Sequence, residues 1–98
     1  MRQITQNSVN AFMMAQTFSS GNTTVRVEPN VTVLSLHGNP IAYRYNDPKR
    51  TLSITDAGWP TNTTKERLNG IPGVNIFQSN FVWYLNGEEW DGSYIDVK

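Results

Sequence analysis

The sequence predicts a single small α+β domain in which antiparallel β-meanders pack with two short α-helices. Its 98 residues are enough for one modest hydrophobic core. Most apolar residues lie in short alternating runs separated by turn-forming pairs, which is typical of β-hairpins. Only two segments carry helical spacing or helix-end signals. We therefore expect residues 1–98 to form one domain, within which residues 1–7 are flexible.

The first helix is predicted over residues 8–17. Ser8 is a suitable N-cap, and Val9, Phe12 and Met13 follow at helical spacing. The sequence SSGN, at residues 19–22, follows Phe18 and is expected to stop the helix. The helix should therefore lie with its apolar side on a sheet.

Four strands are predicted next, connected by turns at Pro29-Asn30 and Gly38-Asn39 and by a loop over Asp47–Arg50. Because turn length fixes register, these connections predict which residues are opposite each other: Val27 and Thr32, Val25 and Leu34, Leu34 and Tyr43, and Tyr43 and Ile54. The face expected to be core contains Val25, Val27, Thr32, Leu34, Leu36, Ile41, Tyr43, Tyr45, Leu52 and Ile54.

The opposite face of this meander is predicted to be a docking surface, because its residues are too polar to form a core. It would contain Thr24, Arg26, Glu28, Val31, Val33, Ser35, His37, Ala42, Arg44 and Ser53.

The second helix is predicted within TNTTKERLNG. Thr63 is the expected N-cap, with Glu66 three residues later to complete a capping box. Leu68 would be its main apolar contact, and Gly70 is placed to end it.

A second series of strands is predicted after Pro72, with two-residue turns at Ser79-Asn80 and Asn86-Gly87. These turns place Trp83 opposite both Ile76 and Trp90, so an aromatic row should cross three strands and belong to the core.

The segment SYIDV has the alternation of a terminal strand, preceded by Asp91-Gly92 as either a turn or a bulge. Whether the two strand series form one sheet or two stays open.

Composition limits the classes of function. The net charge is zero, which argues against a general phosphate-backbone binder, although residues 1–50 carry five basic and two acidic side chains and residues 51–98 three and six. There is no cysteine, so disulfides and thiol chemistry are excluded. The first fifteen residues lack the apolar stretch of a signal peptide, so we expect an intracellular protein without a membrane partner.

Catalysis is not expected from this sequence. His37 is the only imidazole, and although Asp47 or Asp56 are available to orient it, no nucleophile-elbow sequence is present. We interpret His37 as an exposed turn residue that contributes to binding. The protein is therefore predicted not to be an enzyme.

No metal ion or cofactor is expected either. Glu88, Glu89 and Asp91 form the tightest acidic group, but strand alternation sends the two glutamates to opposite faces. The spacing also lacks the ligand pattern of a calcium loop. A solvated hairpin rim is the favoured interpretation.

The start of the second helix is a candidate anion site. Thr63, Thr64 and Lys65 place hydroxyls, free backbone N–H groups and a positive charge together. The alternative is that the capping box uses those donors within the helix.

Five side chains are the candidates for a binding surface: Arg26, Arg44, His37, Trp59 and Tyr84. Trp59 lies in a loop between a strand and a helix, where its ring either fills the core or projects as an interface anchor. Tyr84 is a candidate because it lies on the face opposite Trp83.

Three phrases, LHGNPIA, GWPTNTTKERLN and WYLNGEEW, resemble those of small bacteriophage-encoded proteins of unknown function. The matching pieces lie between about Asn22 and Gly92. The resemblance implies a phage source and action in the host cytoplasm, and it carries over no activity, ligand or catalytic residue.

These observations together predict a small phage accessory protein that acts by binding, and the first candidate for its partner is a host protein whose activity it modulates. One alternative is weak binding of single-stranded nucleic acid through the arginines and an exposed aromatic ring. Another is a homo-oligomeric structural protein, a homodimer for example, because short strands leave edges that can pair.

Overall fold

The computed structural model describes residues 2–97 and confirms the α+β class, with two helices and two antiparallel sheets in that range. The helices are α1 (Gln3–Met13) and α2 (Asn62–Asn69). The strands are β1 (Phe18–Ser20), β2 (Thr23–Val27), β3 (Val31–Leu36), β4 (Asn39–Tyr45), β5 (Leu52–Ile54), β6 (Ile76–Ser79), β7 (Val82–Leu85), β8 (Glu88–Glu89) and β9 (Ile95–Val97). The larger sheet has the order β1-β2-β3-β4-β5-β9, and the smaller one β6-β7-β8.

Helix α1 begins five residues earlier than predicted and ends at Met13. Its buried stripe is Thr5, Ser8, Val9 and Phe12, which is helical spacing with two polar members. Ser8 is therefore no N-cap; its hydroxyl donates to the carbonyl of Thr5 at 3.1 Å. Met1, the first residue of the segment expected to be flexible, lies outside the described residues.

The hairpin of β2 and β3 has the predicted register. Val25 is opposite Leu34, and Val27 is opposite Thr32. The turn at Pro29-Asn30 is therefore confirmed. Val25, Thr32, Leu34 and Leu36 are buried as expected, whereas Val27, at the end of β2, is 39% exposed.

The next turn was predicted one residue too late. His37 and Gly38 occupy the turn, with φ of 53° and 80°, and Leu36 pairs with Asn39. A turn at Gly38-Asn39 would need an N–H from Pro40 to close it, and proline has none. In the observed turn Pro40 is opposite Ser35, one step beyond the closing pair.

A bulge then inverts β4. The register shifts between Leu34 and Ser35, so Leu34 is opposite Ala42 and the predicted pairing of Leu34 with Tyr43 is wrong. Because the bulge adds one residue, every later side chain of β4 changes face.

The loop after β4 reverses this inversion. Tyr45 donates its N–H to the carbonyl of Thr51 at 2.8 Å, and the carboxylate of Asp47 holds Thr51 through both its N–H and its hydroxyl. Ala42 is consequently opposite Ile54, where Tyr43 had been predicted. Strand β4 is thus the one element whose faces are exchanged, while β5 keeps its predicted core face.

Helix α2 starts earlier than predicted because Thr61 is its N-cap. The hydroxyl of Thr61 accepts the N–H of Thr64 at 3.2 Å, so the predicted cap at Thr63 is wrong. Leu68 is fully buried as expected. A Cβ on Gly70 would lie 2.8 Å from Thr5 Cγ2, so glycine permits the close approach of α2 to α1.

The smaller sheet has the predicted Asn86-Gly87 turn, with Leu85 opposite Glu88. The other turn lies at residues 80–81 instead of 79–80, so Ile76 pairs with Leu85 and the predicted pairing of Ile76 with Trp83 is wrong. Moving a two-residue turn by one position changes each partner by two, which keeps every side chain on its face.

Strand β9 joins the larger sheet beside β5, with Ile54 opposite Ile95. The two sheets share one hydrophobic core, because buried residues of both belong to the same cluster. Its members include Phe12, Val25, Leu34, Ala42, Ile54, Leu68, Ile71, Ile76, Leu85 and Trp90.

Candidate binding surface

The loop between β5 and α2 is held in one conformation by its own hydrogen bonds. Gly58 N–H donates to Asp56 Oδ1 at 2.7 Å, and Trp59 N–H donates to the Asp56 carbonyl at 2.9 Å. Thr61 N–H then donates to the Trp59 carbonyl at 2.8 Å. Ala57 adopts a φ of 57°, an unfavourable value for a residue with a side chain. The loop is therefore preorganised.

Trp59 projects from this loop. Its side chain is 62% exposed, so the alternative in which the ring fills the core is wrong. The Trp59 carbonyl also accepts the hydroxyl of Thr64 at 2.8 Å, which fixes the loop to the start of α2. The result is a large apolar side chain presented to solvent on a fixed backbone.

A cavity of ≈ 510 Å³ lies beside Trp59. Its apolar lining comes from Leu36, Ile41 and Ala57. Four residues singled out in the sequence line it as well: His37, Trp59, Thr63 and Thr64. The turn after β3, the loop after β5 and the start of α2 therefore meet at one site, which we call the Trp59 cavity.

His37 is exposed at the rim of the Trp59 cavity, with Nε2 3.5 Å from Asn22 Nδ2. Asp56 also lines the cavity, and its Oδ1 accepts the N–H of Gly58. Asp47 lies at the other end of β4, where Thr51 uses its carboxylate. The two acids considered as partners of His37 are thus both engaged by other groups.

The donors at the start of α2 are largely used within the fold. Thr64 donates its N–H to Thr61, and Lys65 donates its N–H to the Thr61 carbonyl at 3.1 Å. The Lys65 ammonium lies 5.9 Å from the ring centroid of Trp83, in a cation–π arrangement. Thr64 and Lys65 thus have partners within the fold, whereas Thr63 lines the Trp59 cavity, and an anion site at these residues stays a prediction.

Arg26 and Arg44 lie on opposite faces of the larger sheet, because β4 is inverted. Arg44 Nη1 donates to the carbonyl of Met13 at 2.6 Å, at the end of α1. Arg26 remains on the face of the larger sheet that points away from the core, which we call the open face. It pairs there with Glu28 at 2.6 Å. The two arginines do not form the shared docking surface expected from the sequence.

Tyrosines occupy that open face in place of Arg44. Tyr43 packs against Tyr45 and Tyr94, with ring centroids 6.3 and 5.5 Å away. The hydroxyls of Tyr45 and Tyr94 are 2.8 Å apart. This hydrogen bond, with a contribution from burial, raises the pKa of Tyr45 to about 12.

Tyr84 lies away from the Trp59 cavity. Its ring stacks on Phe77 with centroids 5.1 Å apart and planes at 11°. Both rings belong to the face of the smaller sheet opposite Trp83.

A second, more open groove of ≈ 770 Å³ lies between Pro60 and the β6–β7 turn, and we call it the acidic groove. Its lining includes the aromatic residues Phe81, Trp83 and Trp90 and the acidic residues Asp56, Glu89 and Asp91. Phe81 is 96% exposed in the turn, with a φ of 68°. The sequence analysis did not identify this groove, because no local pattern predicts a phenylalanine at a turn position that favours glycine.

Across residues 2–97, neither helix has the length and apolarity needed to cross a membrane.

The family model described as Kyanoviridae Gp96 protein matches residues 1–96 of the chain. No curated protein and no solved structure matches the chain.

Proposed function

The chain belongs to the Kyanoviridae Gp96 protein family, and from this premise we propose that it is a phage accessory protein that binds a host protein and modulates its activity. Its site of action in this proposal is the host cytoplasm. The observation that carries the proposal is the exposure of Trp59 on a preorganised loop beside an apolar cavity.

Preorganisation makes Trp59 an effective anchor. Binding orders side chains and loops at an energetic cost, and a loop already held by hydrogen bonds avoids most of it. Tryptophan is enriched among the few residues that dominate interface energies. Burial of the Trp59 ring by a partner is therefore expected to contribute a large share of the affinity.

The Trp59 cavity supplies the complementary feature. Leu36, Ile41 and Ala57 give it an apolar floor, and His37 and Thr63 give it a polar rim. An apolar core surrounded by polar groups is the usual composition of a protein interface. The partner is expected to insert an apolar side chain here while it covers Trp59.

The test is an affinity capture of the tagged full-length chain from host lysate, treated with nuclease and read by mass spectrometry. A single stoichiometric host protein should be retained, and Trp59→Ala should lower its recovery at least 10-fold. The matched control is Met14→Ala, because Met14 is 66% exposed and does not line the Trp59 cavity. Equal recovery with Trp59→Ala and wild type would contradict the proposal.

Single-stranded nucleic acid is a second candidate, favoured by the tyrosines of the open sheet face. Tyr43, Tyr45 and Tyr94 share that face with Arg26, and bases stack on such rings while cations contact phosphates. This function predicts oligonucleotide binding whose log affinity falls as log salt rises. No binding at low salt would eliminate it.

Self-association is the competing structural role. Light scattering across a concentration series distinguishes it, because a homo-oligomer gains mass with concentration and a monomer does not. A concentration-dependent mass together with no captured host protein would replace the proposed function with an assembly role.

A further inference from the structure

Phe81 is an apolar side chain that the fold leaves uncovered. It is 96% exposed in the β6–β7 turn, the highest exposure of any large hydrophobic side chain within residues 2–97. Asn80 and Phe81 have φ of 52° and 68°, the positive values that a type I′ turn requires. Glycine is the usual residue at the second of these positions, and a phenylalanine there is strained. The chain thus keeps a bulky ring where glycine suits the backbone better.

The Trp59 cavity lies next to Phe81 on the surface. Asp56 lines both this cavity and the acidic groove, and Pro60 and Phe81 line the groove. Phe81 does not line the Trp59 cavity, and its exposure shows that its own chain does not enclose the ring. One region of the surface therefore carries a projecting apolar ring and, beside it, an open apolar cavity.

A projection beside a cavity is complementary to a second copy of the same surface. In a two-fold contact each copy uses the same residues, so a pairing of two different residues occurs twice. A rotation of 180° that brings one Phe81 to the Trp59 cavity of the other copy also brings the second Phe81 to the first cavity. The apolar floor of each cavity is formed by Leu36, Ile41 and Ala57. One association therefore covers both rings and fills both cavities.

We propose that two copies of this chain form a two-fold dimer in which Phe81 of each copy fills the Trp59 cavity of the other. The net charge of the chain is zero, so overall charge does not keep identical copies apart. This inference goes beyond the proposed function, because its partner is a second copy and not a host protein. While the dimer persists, Trp59 is covered and unavailable to any other partner.

The area of the exposed rings sets the expected strength of this dimer. A buried aromatic side chain covers about 150–250 Å². At exposures of 96% and 62%, the two Phe81 and two Trp59 rings together contribute roughly 500–800 Å². Stable interfaces start at about 1,200 Å², so a weak, reversible dimer is expected, with a Kd on the order of 100 μM. Monomers with a free Trp59 then predominate at lower concentrations.

The first test is sedimentation velocity of the full-length chain from about 5 μM to about 1 mM, a range that spans the expected Kd. The mean mass should rise from that of a monomer to that of a dimer and stop there, because a two-fold contact closes. A mass that stays monomeric throughout, or that continues to rise past the dimer, would overturn the inference.

Phe81→Gly tests the projecting ring with little risk to folding, because glycine suits the backbone at this position. It should weaken the dimer about 10-fold or more. The matched control is Met14→Ala, which truncates a side chain that is 66% exposed and lines neither the Trp59 cavity nor the acidic groove. Equal weakening by the two substitutions, or wild-type dimerisation of Phe81→Gly, would overturn the inference.

A mixture of two variants tests whether Phe81 meets the Trp59 cavity across the interface. Phe81→Gly lacks the projection, and Trp59→Ala lacks one wall of the cavity. A mixed dimer retains one complete contact, whereas each variant alone retains none. The mixture should therefore dimerise at least about 3-fold more strongly than either variant alone. An affinity between those of the two variants would show that the two sites do not touch, and would overturn the inference.

Salt distinguishes this dimer from one held by ion pairs. Glu89 and Asp91 are exposed and line the groove beside Phe81, so the two copies repel each other there. Raising sodium chloride from about 0.05 to about 0.5 M should leave the dimer as strong or make it stronger, because salt screens this repulsion. Dissociation by salt would overturn the inference.

These measurements need no captured partner, so their failure is distinguishable from failure of the proposed function. A chain that stays monomeric but loses its captured host protein with Trp59→Ala would refute the dimer alone. A dimer weakened by Phe81→Gly and restored in the mixture would support the inference whether or not a host protein is captured.

Discussion

Arg67 Nη1 donates to the hydroxyl of Thr5 at 2.6 Å, which ties α2 to α1 inside the protein. Arg67 is 1% exposed; its Nε donates to Thr23 Oγ1 at 3.1 Å, and its Nη1 also donates to Glu66 Oε1 at 2.7 Å. Burial lowers the pKa of Arg67 from its usual value. Arg67 thereby joins both helices to β2.

Replacing this buried arginine is expected to be costly. Arg67→Met should lower the free energy of unfolding by about 3 kcal/mol, because Thr5, Thr23 and Glu66 lose their charged donor inside the protein. Urea unfolding measures the change. As a control, Arg26→Met removes an exposed ion pair and should cost less than about 1 kcal/mol. Equal effects of the two substitutions would contradict the structural role of Arg67.

Glu66 predicts a specific pH dependence of stability. The hydroxyl of Thr5, followed by Arg2, lowers the pKa of Glu66 in the folded protein below its ordinary 4.5. The unfolded chain then binds the proton more readily, so the stabilisation is complete above pH 4.5 and is lost as pH falls through the folded pKa.

This dependence is measured by urea unfolding at a series of pH values from about 6 to about 3, a range that includes the ordinary pKa of a glutamate carboxyl group. Thr5→Val should reduce the loss of stability on acidification, because it removes the main cause of the shift. Thr63→Val is the control. Thr63 lies on α2, as Glu66 does, but it makes no hydrogen bond to Glu66 among the described residues. An unchanged acid slope in Thr5→Val would refute this account.

Gly92 is predicted to be intolerant of any side chain. A Cβ at this position would lie 1.9 Å from Asp56 Oδ2, and its φ is 88°. Gly92→Ala should therefore lower the free energy of unfolding by about 3 kcal/mol, through backbone strain and overpacking together. Gly73→Ala has the same φ and open space, so it should cost only about 1–2 kcal/mol. Equal losses in thermal or urea unfolding would show that the contact with Asp56 is unimportant.

Arg44 is expected to contribute to stability instead of partner binding. Arg44→Met should cost about 1–2 kcal/mol, because the charged hydrogen bond to Met13 at the negative end of α1 is lost. Lys49→Met, at an exposed loop position, should stay within about 0.5 kcal/mol of wild type. Wild-type stability of Arg44→Met combined with loss of the captured host protein would return Arg44 to the binding surface.

The errors in the predicted registers have identifiable causes. The absent N–H of Pro40 was visible in the sequence and excludes the turn at Gly38-Asn39. The bulge at Ile41 was not visible, because it depends on how β4 packs between two neighbours. Because of this one inserted residue, the predicted faces of Tyr43 and Arg44 are the reverse of the observed ones.

The sequence identified individual candidate residues, but it did not predict that they lie together at one site. His37, Trp59 and Thr63 were singled out from separate segments, and the fold brings them to one cavity. Asp56 and Phe81 had no local signal for binding, because the burial of one and the exposure of the other depend on contacts distant in the chain.

The sequence by itself determined the α+β class, the β2–β3 hairpin, the Asn86-Gly87 turn and the buried position of Leu68, because each depends on neighbouring residues and their backbone preferences. The tertiary structure decided the face of Arg44, the burial of Arg67 and the exposure of Trp59. Each of these depends on how elements far apart in sequence pack against one another. Burial and hydrogen bonds between such elements outweigh local propensity.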